Sequence, residues 1–423
     1  MTKKPRFFFG WYLVGLMAVS MTLVYGVRNA FSVFFGPILD EFGWYRGSTS
    51  IMLALNILVY GLVAPIAGSL VDRWKPRRVA FTGIFILTLS TALCSLAEEL
   101  WHFYLLFGIL VPIGTAFCGA PVLNPAVMHW FSKKRQLAIG LGQIGGGLSF
   151  AYSMLIEAVI SVWNWNASFL VMAGLLIIIL LPLYLLFYRF RPEEKGLQAD
   201  GIEAAIVEKL PERDVVTAVG EWTLRAALKT YRLWFLVLAQ ICYWGIGNYL
   251  VLAHQIKFAV DIGFSSMLAT SVFALFGIAS IVGQIASFIS DRIGREKTIT
   301  LAAALAIGAL FALISVTDTS RLWLLYFYAA CSGFATGMFS PTIFVGTADI
   351  FHGKNIGAIS AMILMGTGVG GAIGPWLGGY IYDVTGSYHD AFIISIIAFA
   401  VACICVWIAA PRNAKKIRST IRT

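Results

Sequence analysis

The sequence predicts an all-α membrane protein with twelve transmembrane helices arranged as two six-helix halves. Of the 423 residues, 59% are hydrophobic and only 12% are charged, against roughly 45–50% and 25% in soluble domains. The apolar residues fall into blocks of about 20 residues or more, the length that crosses a bilayer core of about 30 Å. The two halves of the chain also match each other at a constant offset. Together these observations indicate a duplicated helical bundle in lipid.

The predicted membrane spans follow one another along the whole chain. In order they are residues 11–35, 49–71, 79–98, 102–130, 137–161, 167–189, 232–258, 267–289, 298–316, 322–347, 357–381 and 389–410. The first block follows Lys3, Lys4 and Arg6, as the apolar part of a signal peptide would. It is too long for a signal peptide and lacks a small-residue cleavage site, so we expect it to remain as the first helix.

An internal repeat divides the chain into two halves. Aligning Asp72 with Asp291 gives an offset of 291 − 72 = 219, and the same offset places Gly114 on Gly333 and residues 25–29 on 244–248. Residues 1–190 and 231–423 are therefore predicted to be six-helix halves, joined by a polar cytoplasmic linker over 191–230. Duplicated halves of this kind form a binding site between them, near the bilayer midplane.

The distribution of Lys and Arg predicts the orientation in the membrane. Basic residues concentrate in the loops after spans 2, 4, 8 and 10, in the linker and in the C-terminal tail, whereas the opposite loops contain only Arg46, Lys257 and Arg321. The positive-inside rule then places both termini in the cytoplasm. We expect a multi-pass protein of the plasma (inner) membrane. The net charge of +10 follows from this pattern, and without a basic stripe it does not indicate nucleic-acid binding.

One loop motif carries a family resemblance. The string GSLVDRWKPRR between spans 2 and 3, with a weaker copy SDRIGR between spans 8 and 9, resembles the hallmark motif of the major facilitator superfamily. The resemblance implies a monomeric transporter, not an enzyme, that works by alternating access without cofactor or metal. An Asp at a helix end with arginines beyond it can latch neighbouring helices by charge-assisted hydrogen bonds. The predicted gating residues are Gly68, Asp72, Arg73, Arg77, Asp291 and Arg292.

Two further strings resemble the monocarboxylate and oxalate–formate branch of that superfamily. They are YGVRNAFSVFFGP in the first span and HWFSKKR after the fourth. This resemblance implies a small organic anion as the substrate, moved with protons or in exchange for another anion. The sequence departs from the branch in two helices. In the eighth helix, the arginine of the branch falls on Gln284 and the aspartate before it falls on Ser280. Its lysine in the first helix falls on Asn29, next to Arg28.

Arg28 is the most informative polar residue. It lies past the middle of the first span, where a charge costs about 2.5–3.5 kcal/mol on insertion scales and needs a polar partner. Its repeat mate is Gly247, so the second half offers space where the first offers charge. We predict that Arg28 binds a carboxylate by two parallel hydrogen bonds. The alternatives are an internal ion pair with Glu157 and a side chain that extends to the interface.

Other polar groups at membrane depth are candidates for the substrate site or for coupling. Glu157 and His254 are the predicted proton-coupling residues, although a hydrogen-bonded histidine that never titrates is an equal alternative. The further substrate-binding candidates are Asn29, Asn56, Tyr60, Asn124, Tyr152, Tyr243, Asn248, His254, Gln284 and Tyr328. Many such groups make only helix–helix hydrogen bonds. Asn29 and Asn248 rank highest, because they are repeat-related and adjoin the charged position.

Two other function classes compete with this interpretation. An aromatic content of 14% favours an efflux carrier for drug-like compounds. A membrane enzyme or receptor is disfavoured by the scattering of the five histidines. The GLGQIG string over 140–145 lies in a membrane span and lacks the βαβ context of a dinucleotide site. We expect Gly145–Gly147 and Gly370, Gly374, Gly378 and Gly379 to permit close helix packing.

Overall fold

Twelve long apolar helices make up the chain in the structure, which is a computed structural model. It describes residues 8–131, 134–199, 222–351 and 355–413, without the side chains of Asp72, Arg73, Arg135 and Gln136. In these ranges the helices long and apolar enough to cross a membrane are α1 Gly10–Phe42, α2 Arg46–Val71, α3 Pro76–Leu96, α4 Leu100–Trp130, α5 Leu137–Val162, α6 Trp165–Phe187, α7 Tyr231–Ile262, α8 Ser266–Ile293, α9 Arg295–Ile314, α10 Thr319–Ile350, α11 Ile356–Thr385 and α12 His389–Asn413. Each predicted span coincides with one of them, which confirms the predicted fold class. Residues 200–221 of the predicted linker lie outside the described ranges.

The buried apolar side chains form two clusters that follow the halves of the chain. One cluster draws on residues 13–190 and, from the second half, only on Ala253. The other draws on residues 222–409 and, from the first half, on Val33 and Phe150. Each half therefore has its own apolar core.

Helices α3, α6, α9 and α12 present large apolar side chains outward. Phe85, Ile178, Phe311 and Ile404 are each more than half exposed. Contiguous apolar surface of this kind requires lipid around it. The membrane-depth polar side chains predicted to bind substrate or protons lie on the other helices.

The two halves meet where α2 packs along α11 and α5 packs along α8. Glycines allow this close approach: a Cβ built on Gly61 would lie 3.2 Å from Cα of Gly368, and one on Gly277 would lie 2.3 Å from the carbonyl oxygen of Gly147. Small residues at such crossings bring helix backbones together.

Three inner helices are irregular near the middle of the bundle. The regular turns of α1 are interrupted at Ala30, between Gly10–Asn29 and Phe31–Phe42. Wider π turns occur over Tyr104–Leu110 of α4 and Ile241–Asn248 of α7. Such turns are frequent at functional sites, since they shift side chains out of helical register.

The halves are joined at one face of the bundle. We call this side, with the α1–α2, α7–α8 and α11–α12 loops, the far face, and the side of residues 8 and 413 the terminal face. Hydrogen bonds or ion pairs between described residues of different halves lie toward the far face. The first-half residues that take part are Ser32, Asp40, Arg46, Gly47, Ser50 and Glu157. The bundle is therefore closed at the far face.

Candidate substrate site

Arg28 lies inside the first half, held by polar and aromatic groups. Its side chain is 7% exposed, and its Nε donates a 2.8 Å hydrogen bond to Oδ1 of Asn56 on α2. The guanidinium carbon lies 4.6 Å from the ring centroid of Tyr60 and 5.5 Å from that of Tyr25. The terminal nitrogen Nη2 is buried and has no hydrogen-bond partner among the described residues. The Nε side of the guanidinium is thus fixed by Asn56, whereas Nη2 is not paired with any described residue.

Asn56 is itself held by the irregular part of α4. Its Nδ2 donates a 2.7 Å hydrogen bond to the carbonyl oxygen of Phe107, inside the π turns over Tyr104–Leu110. The amide is therefore oriented with its oxygen toward Arg28, as a planar amide bonded at both ends must be. This chain of hydrogen bonds fixes the direction of the guanidinium across α1, α2 and α4.

Aromatic rings from both halves surround this position. The hydroxyls of Tyr25 and Tyr60 share a 2.9 Å hydrogen bond, with the rings edge to face at 6.1 Å. Tyr249 of α7 lies near both tyrosines. The Trp244 ring lies 5.6 Å from that of Tyr249, and its indole nitrogen donates to Oγ of Ser340 at 2.8 Å. All four aromatic side chains remain partly accessible.

The internal ion pair considered for Arg28 is not formed. Neither Arg28 nor Glu157 takes part in an ion pair among the described residues. Glu157 is 4% exposed, faces Ser266 at the start of α8 and has one carboxylate oxygen without a hydrogen bond. The alternative in which Arg28 extends to the interface also disagrees with its contacts to Asn56 and Tyr60.

Of the predicted substrate-binding residues, the structure brings Arg28, Asn56 and Tyr60 together. Asn29 instead donates to Oγ of Ser149 at 2.7 Å. Others make contacts within one half: Gln143 to Asn124, Thr336 to Asn248, Tyr328 to Gln255, Tyr243 stacked on Phe339, and Tyr152 against Gly26. Gln284 lies beside Gly337 where α8 crosses α10. These residues remain candidates for a substrate site, but none of these contacts is to Arg28.

His254 is fully buried and uses both ring nitrogens. Nε2 lies 2.8 Å from the carbonyl oxygen of Pro375 and 3.4 Å from Oγ of Ser50, and Nδ1 lies 3.2 Å from the hydroxyl of Tyr388. A carbonyl only accepts, so Nε2 carries the proton and Nδ1 accepts from Tyr388. These contacts favour the interpretation of His254 as a hydrogen-bonded histidine of the far-face seam.

The predicted gating residues are placed in part. Asp72 and Arg73 have side chains outside the described set, and a Cβ on Gly68 would meet no atom within 4 Å. Nη2 of Arg77 donates to the carbonyl oxygen of Leu185 at 3.0 Å, which ties the start of α3 to α6. In the second half, Arg295 bonds Asp291 at 2.5 Å and Asp349 at 3.0 Å, while Arg292 is exposed. The described contacts of Arg77 and Asp291 therefore stay within one half.

Sequence reasoning missed the aromatic residues that complete the site. Tyr25, Trp244 and Tyr249 were not among the predicted site residues, although the repeat offset pairs Tyr25 with Trp244. That pairing was the available signal: two aromatic residues at equivalent, central positions of a duplicated bundle. The far-face residues Arg46, Asp261 and Asp383 were also missed, since the sequence places them only at span ends.

A duplicated twelve-helix bundle with a central cation, closed at one face, defines a membrane transporter. The sequence profile of the Major Facilitator Superfamily matches residues 17–327 and 286–422, and the chain belongs to that superfamily. It is 27% identical over 403 residues to monocarboxylate transporter 13 of Rattus norvegicus, covering 93% of this chain and 87% of the relative. It is 24% identical to monocarboxylate transporter 11 of Homo sapiens, covering 91% and 80%.

Solved structures give the same fold. A bacterial homolog of the human lysosomal transporter Spinster, in an inward-facing and occupied conformation, superposes with a TM-score of 0.72 at 15% identity, covering 96% of this chain and 98% of that one. The same homolog in an inward-facing and unoccupied conformation gives 0.72 at 17% identity. The predicted family is confirmed.

Proposed function

We propose that the chain is a secondary transporter of small organic carboxylates, in which Arg28 binds the carboxylate between the two halves. With the terminal face in the cytoplasm of a plasma (inner) membrane, the bundle opens inward and is closed outside. Alternating access follows when the far-face contacts break and the terminal face closes.

The free edge of the Arg28 guanidinium supports this proposal most directly. A buried cation that has no acidic partner among the described residues retains its charge for a ligand, and a planar guanidinium matches a carboxylate with two parallel hydrogen bonds. Asn56 occupies only Nε, so the terminal nitrogens remain available. The relationship to monocarboxylate transporters agrees with this ligand chemistry.

The alternative is an efflux carrier for lipophilic compounds, which the aromatic rings around the site favour. Binding of a neutral lipophilic compound would not require a guanidinium that is fixed at Nε and unpaired at Nη2. A neutral amide analogue of a transported acid distinguishes the two functions, since only the lipophilic carrier would accept it equally well.

Substitution of Arg28 tests the proposal in proteoliposomes loaded with purified protein. We expect Arg28→Lys to lower the uptake of labelled small carboxylates by about tenfold or more, because charge is kept but the bidentate bond is lost, and hydrogen bonds to charged groups are worth about 1.5–3 kcal/mol. Arg321→Lys is the matched control, since Arg321 bonds only the carbonyl oxygen of Ser315 in a far-face loop. Unchanged uptake by Arg28→Lys would overturn the assignment.

Glu157 is our candidate for a coupled proton. Its carboxyl group is buried between α5 and α8, at a seam that must part when the far face opens. Within the described part of the chain, one of its oxygens has no hydrogen-bond partner. We expect Glu157→Gln to remove the stimulation of uptake by an acidic exterior, while His254→Gln retains it because both ring nitrogens are already committed. If Glu157→Gln keeps full stimulation, the proton travels elsewhere or the carrier exchanges anions.

A further inference from the structure

We propose that Tyr25, Tyr60, Trp244 and Tyr249 form a ring clamp for the organic group of the substrate, so that carboxylates bearing an aromatic ring are preferred. This inference rests on the proposed function and specifies its substrate class. Two rings come from α1 and α2 of the first half and two from α7 of the second. The clamp therefore spans the seam beside Arg28.

Three of these four side chains have a polar atom engaged in a hydrogen bond. The hydroxyls of Tyr25 and Tyr60 bond each other, and the indole nitrogen of Trp244 bonds Ser340. All four residues remain partly accessible, and aromatic ring surface binds flat apolar groups by stacking or by edge-to-face contact. The guanidinium of Arg28 lies over the ring of Tyr60, so a carboxylate on Arg28 directs the rest of its molecule toward the rings.

The internal repeat gives the clamp its symmetry. Tyr25 and Trp244 are repeat mates, since 244 − 25 equals the offset of 219. Three residues further along, the two halves differ: the first half has the cation Arg28, and its repeat mate in the second half is Gly247. One charged wall and rings on both sides suit a ligand with one anionic end and one aromatic end.

Competition against a labelled carboxylate in proteoliposomes tests the clamp, with acetate, phenylacetate and phenylacetamide as competitors. We expect phenylacetate to compete at concentrations about tenfold lower than acetate, as an aromatic contact contributes about that factor in affinity. Trp244→Leu should reduce the difference to about twofold and leave acetate unchanged. Trp234→Leu is the matched control on the same helix, because that ring is half exposed on the outside of α7.

The outcomes separate this inference from the proposed function. Equal competition by acetate and phenylacetate would overturn the clamp and leave the carboxylate carrier standing. Equal competition by phenylacetamide and phenylacetate would overturn the carboxylate carrier and leave the rings as the binding surface. Retention of the phenylacetate preference by Trp244→Leu, in a protein that remains monodisperse, would remove Trp244 from the clamp.

A different observation carries a second inference, which concerns the far face. Helix α2 begins at Arg46, and its N-cap residue Tyr45 makes no side-chain capping bond. Instead Asp383, near the end of α11 in the other half, accepts from the backbone nitrogens of Arg46 at 3.0 Å and Gly47 at 2.7 Å. We infer that Asp383 caps α2 in trans, so that closing the far face completes this helix and opening it removes the cap.

Glycines and the Arg46 side chain fit this role. A Cβ on Gly379 would lie 2.6 Å from the backbone of Arg46, and one on Gly47 would lie 3.0 Å from Oδ2 of Asp383. The side chain of Arg46 also bonds Asp261 at 2.7 Å and the hydroxyl of Tyr388 at 2.8 Å. The start of α2 is thus attached to α7, α11 and the α11–α12 loop at once.

Distances between spin labels at positions 101 and 323, exposed residues of opposite halves, measure far-face closure. We expect Asp383→Ala to raise the open-to-closed ratio about fivefold, the usual effect of losing a helix cap. Asp390→Ala is the matched control, because Asp390 is exposed on the same face and bonds His389 rather than α2.

A cap on α2 itself tests whether Asp383 links capping to closure of the far face or only adds stability. Tyr45 is 76% exposed and has the extended backbone of an N-cap residue, so Tyr45→Ser can cap α2 in either state. Added to Asp383→Ala, Tyr45→Ser should restore thermal stability but not closure. Full recovery of closure, or an unchanged ratio in Asp383→Ala, would overturn the inference.

Discussion

Arg28 keeps its charge because its neighbours satisfy it without neutralising it. An amide oxygen and two aromatic faces offset part of the cost of a buried guanidinium, and cation–π contacts of this kind contribute about 0.5–2 kcal/mol each. An acid in the place of Asn56 would stabilise the cation more but would cancel its charge. With Asn at this position, the charge of Arg28 has no acidic counterpart among the described residues.

Asn56→Asp tests this balance with almost no change of shape. The new carboxylate would pair with Nε of Arg28, so we expect the KM for carboxylate uptake to rise at least about tenfold. Thermal stability should not increase, because Asp lacks the N–H group that Asn56 donates to the buried carbonyl oxygen of Phe107. Uptake kinetics and thermal unfolding measure the two effects. Asn166→Asp serves as the control, since Asn166 bonds the carbonyl oxygen of Ser95. An unchanged KM would show that the charge of Arg28 is not used.

The sequence predicts the residue but not its partner. Arg28 stands out because a cation inside an apolar span is rare and costly. Asn56 and Glu157 are both polar groups inside spans, and only the rotation of α2 and α5 about their axes decides which one faces it. Those rotations depend on the packing of many side chains, which a single sequence does not specify.

At the scale of helices, glycine contacts set how closely the helices approach. A Cβ on Gly145 would lie 2.0 Å from the carbonyl oxygen of Ala18, and one on Gly374 would lie 2.4 Å from that of Gly245. The predicted role of the glycines in close packing is confirmed at these positions. It is wrong for Gly146, whose Cβ would meet nothing within 4 Å.

Gly245→Ala should disturb the contact between α7 and α11. Its Cβ would lie 2.3 Å from Cα of Gly370, which is backbone and cannot turn away. We expect a loss of about 1–3 kcal/mol, as for other overpacked sites, and a lower midpoint of thermal unfolding in detergent. Gly146→Ala should have no such effect. Equal midpoints for the two variants would mean that the π segment of α7 adapts to the added methyl group.

Span positions follow from hydropathy, and the differences have local causes. The first span was predicted to end at residue 35, but α1 continues to Phe42. The polar residues that end the apolar run find partners there: Asp40 pairs with Lys257 at 3.2 Å, and Glu41 accepts from the indole of Trp165. A hydropathy window reads only neighbouring residues of the sequence, so it cannot include these partners on other helices and ends the span too early.

At the scale of the whole molecule, the closed far face depends on charges shared between the halves. Asp261 of α7 pairs with Arg46 at 2.7 Å and with Lys257 at 3.3 Å, and Lys257 also reaches Asp40. The sequence predicts two halves that rock against each other, but not which face is closed. Which face is closed depends on a small free-energy difference between two conformations, in which the same residues make different contacts.

Asp261→Asn should shift the balance toward the far-face-open state. It removes the charge that Arg46 and Lys257 share, and a partly exposed pair is worth up to about 1 kcal/mol, so we expect the open population to rise by up to about fivefold. The apparent affinity for substrate added at the far face then improves in proportion, because a ligand binds only the fraction of sites open to it. Affinity from the terminal face should weaken.

Transport assays in vesicles of both orientations measure the two affinities. Asp318→Ala is the control, since the carboxylate of Asp318 on the same face bonds Ser320 locally. High salt should reduce the difference between Asp261→Asn and the unsubstituted protein, as the network is partly exposed and salt screens such charges. If both affinities change in the same direction, Asp261 acts on the site itself rather than on the equilibrium between the two open states.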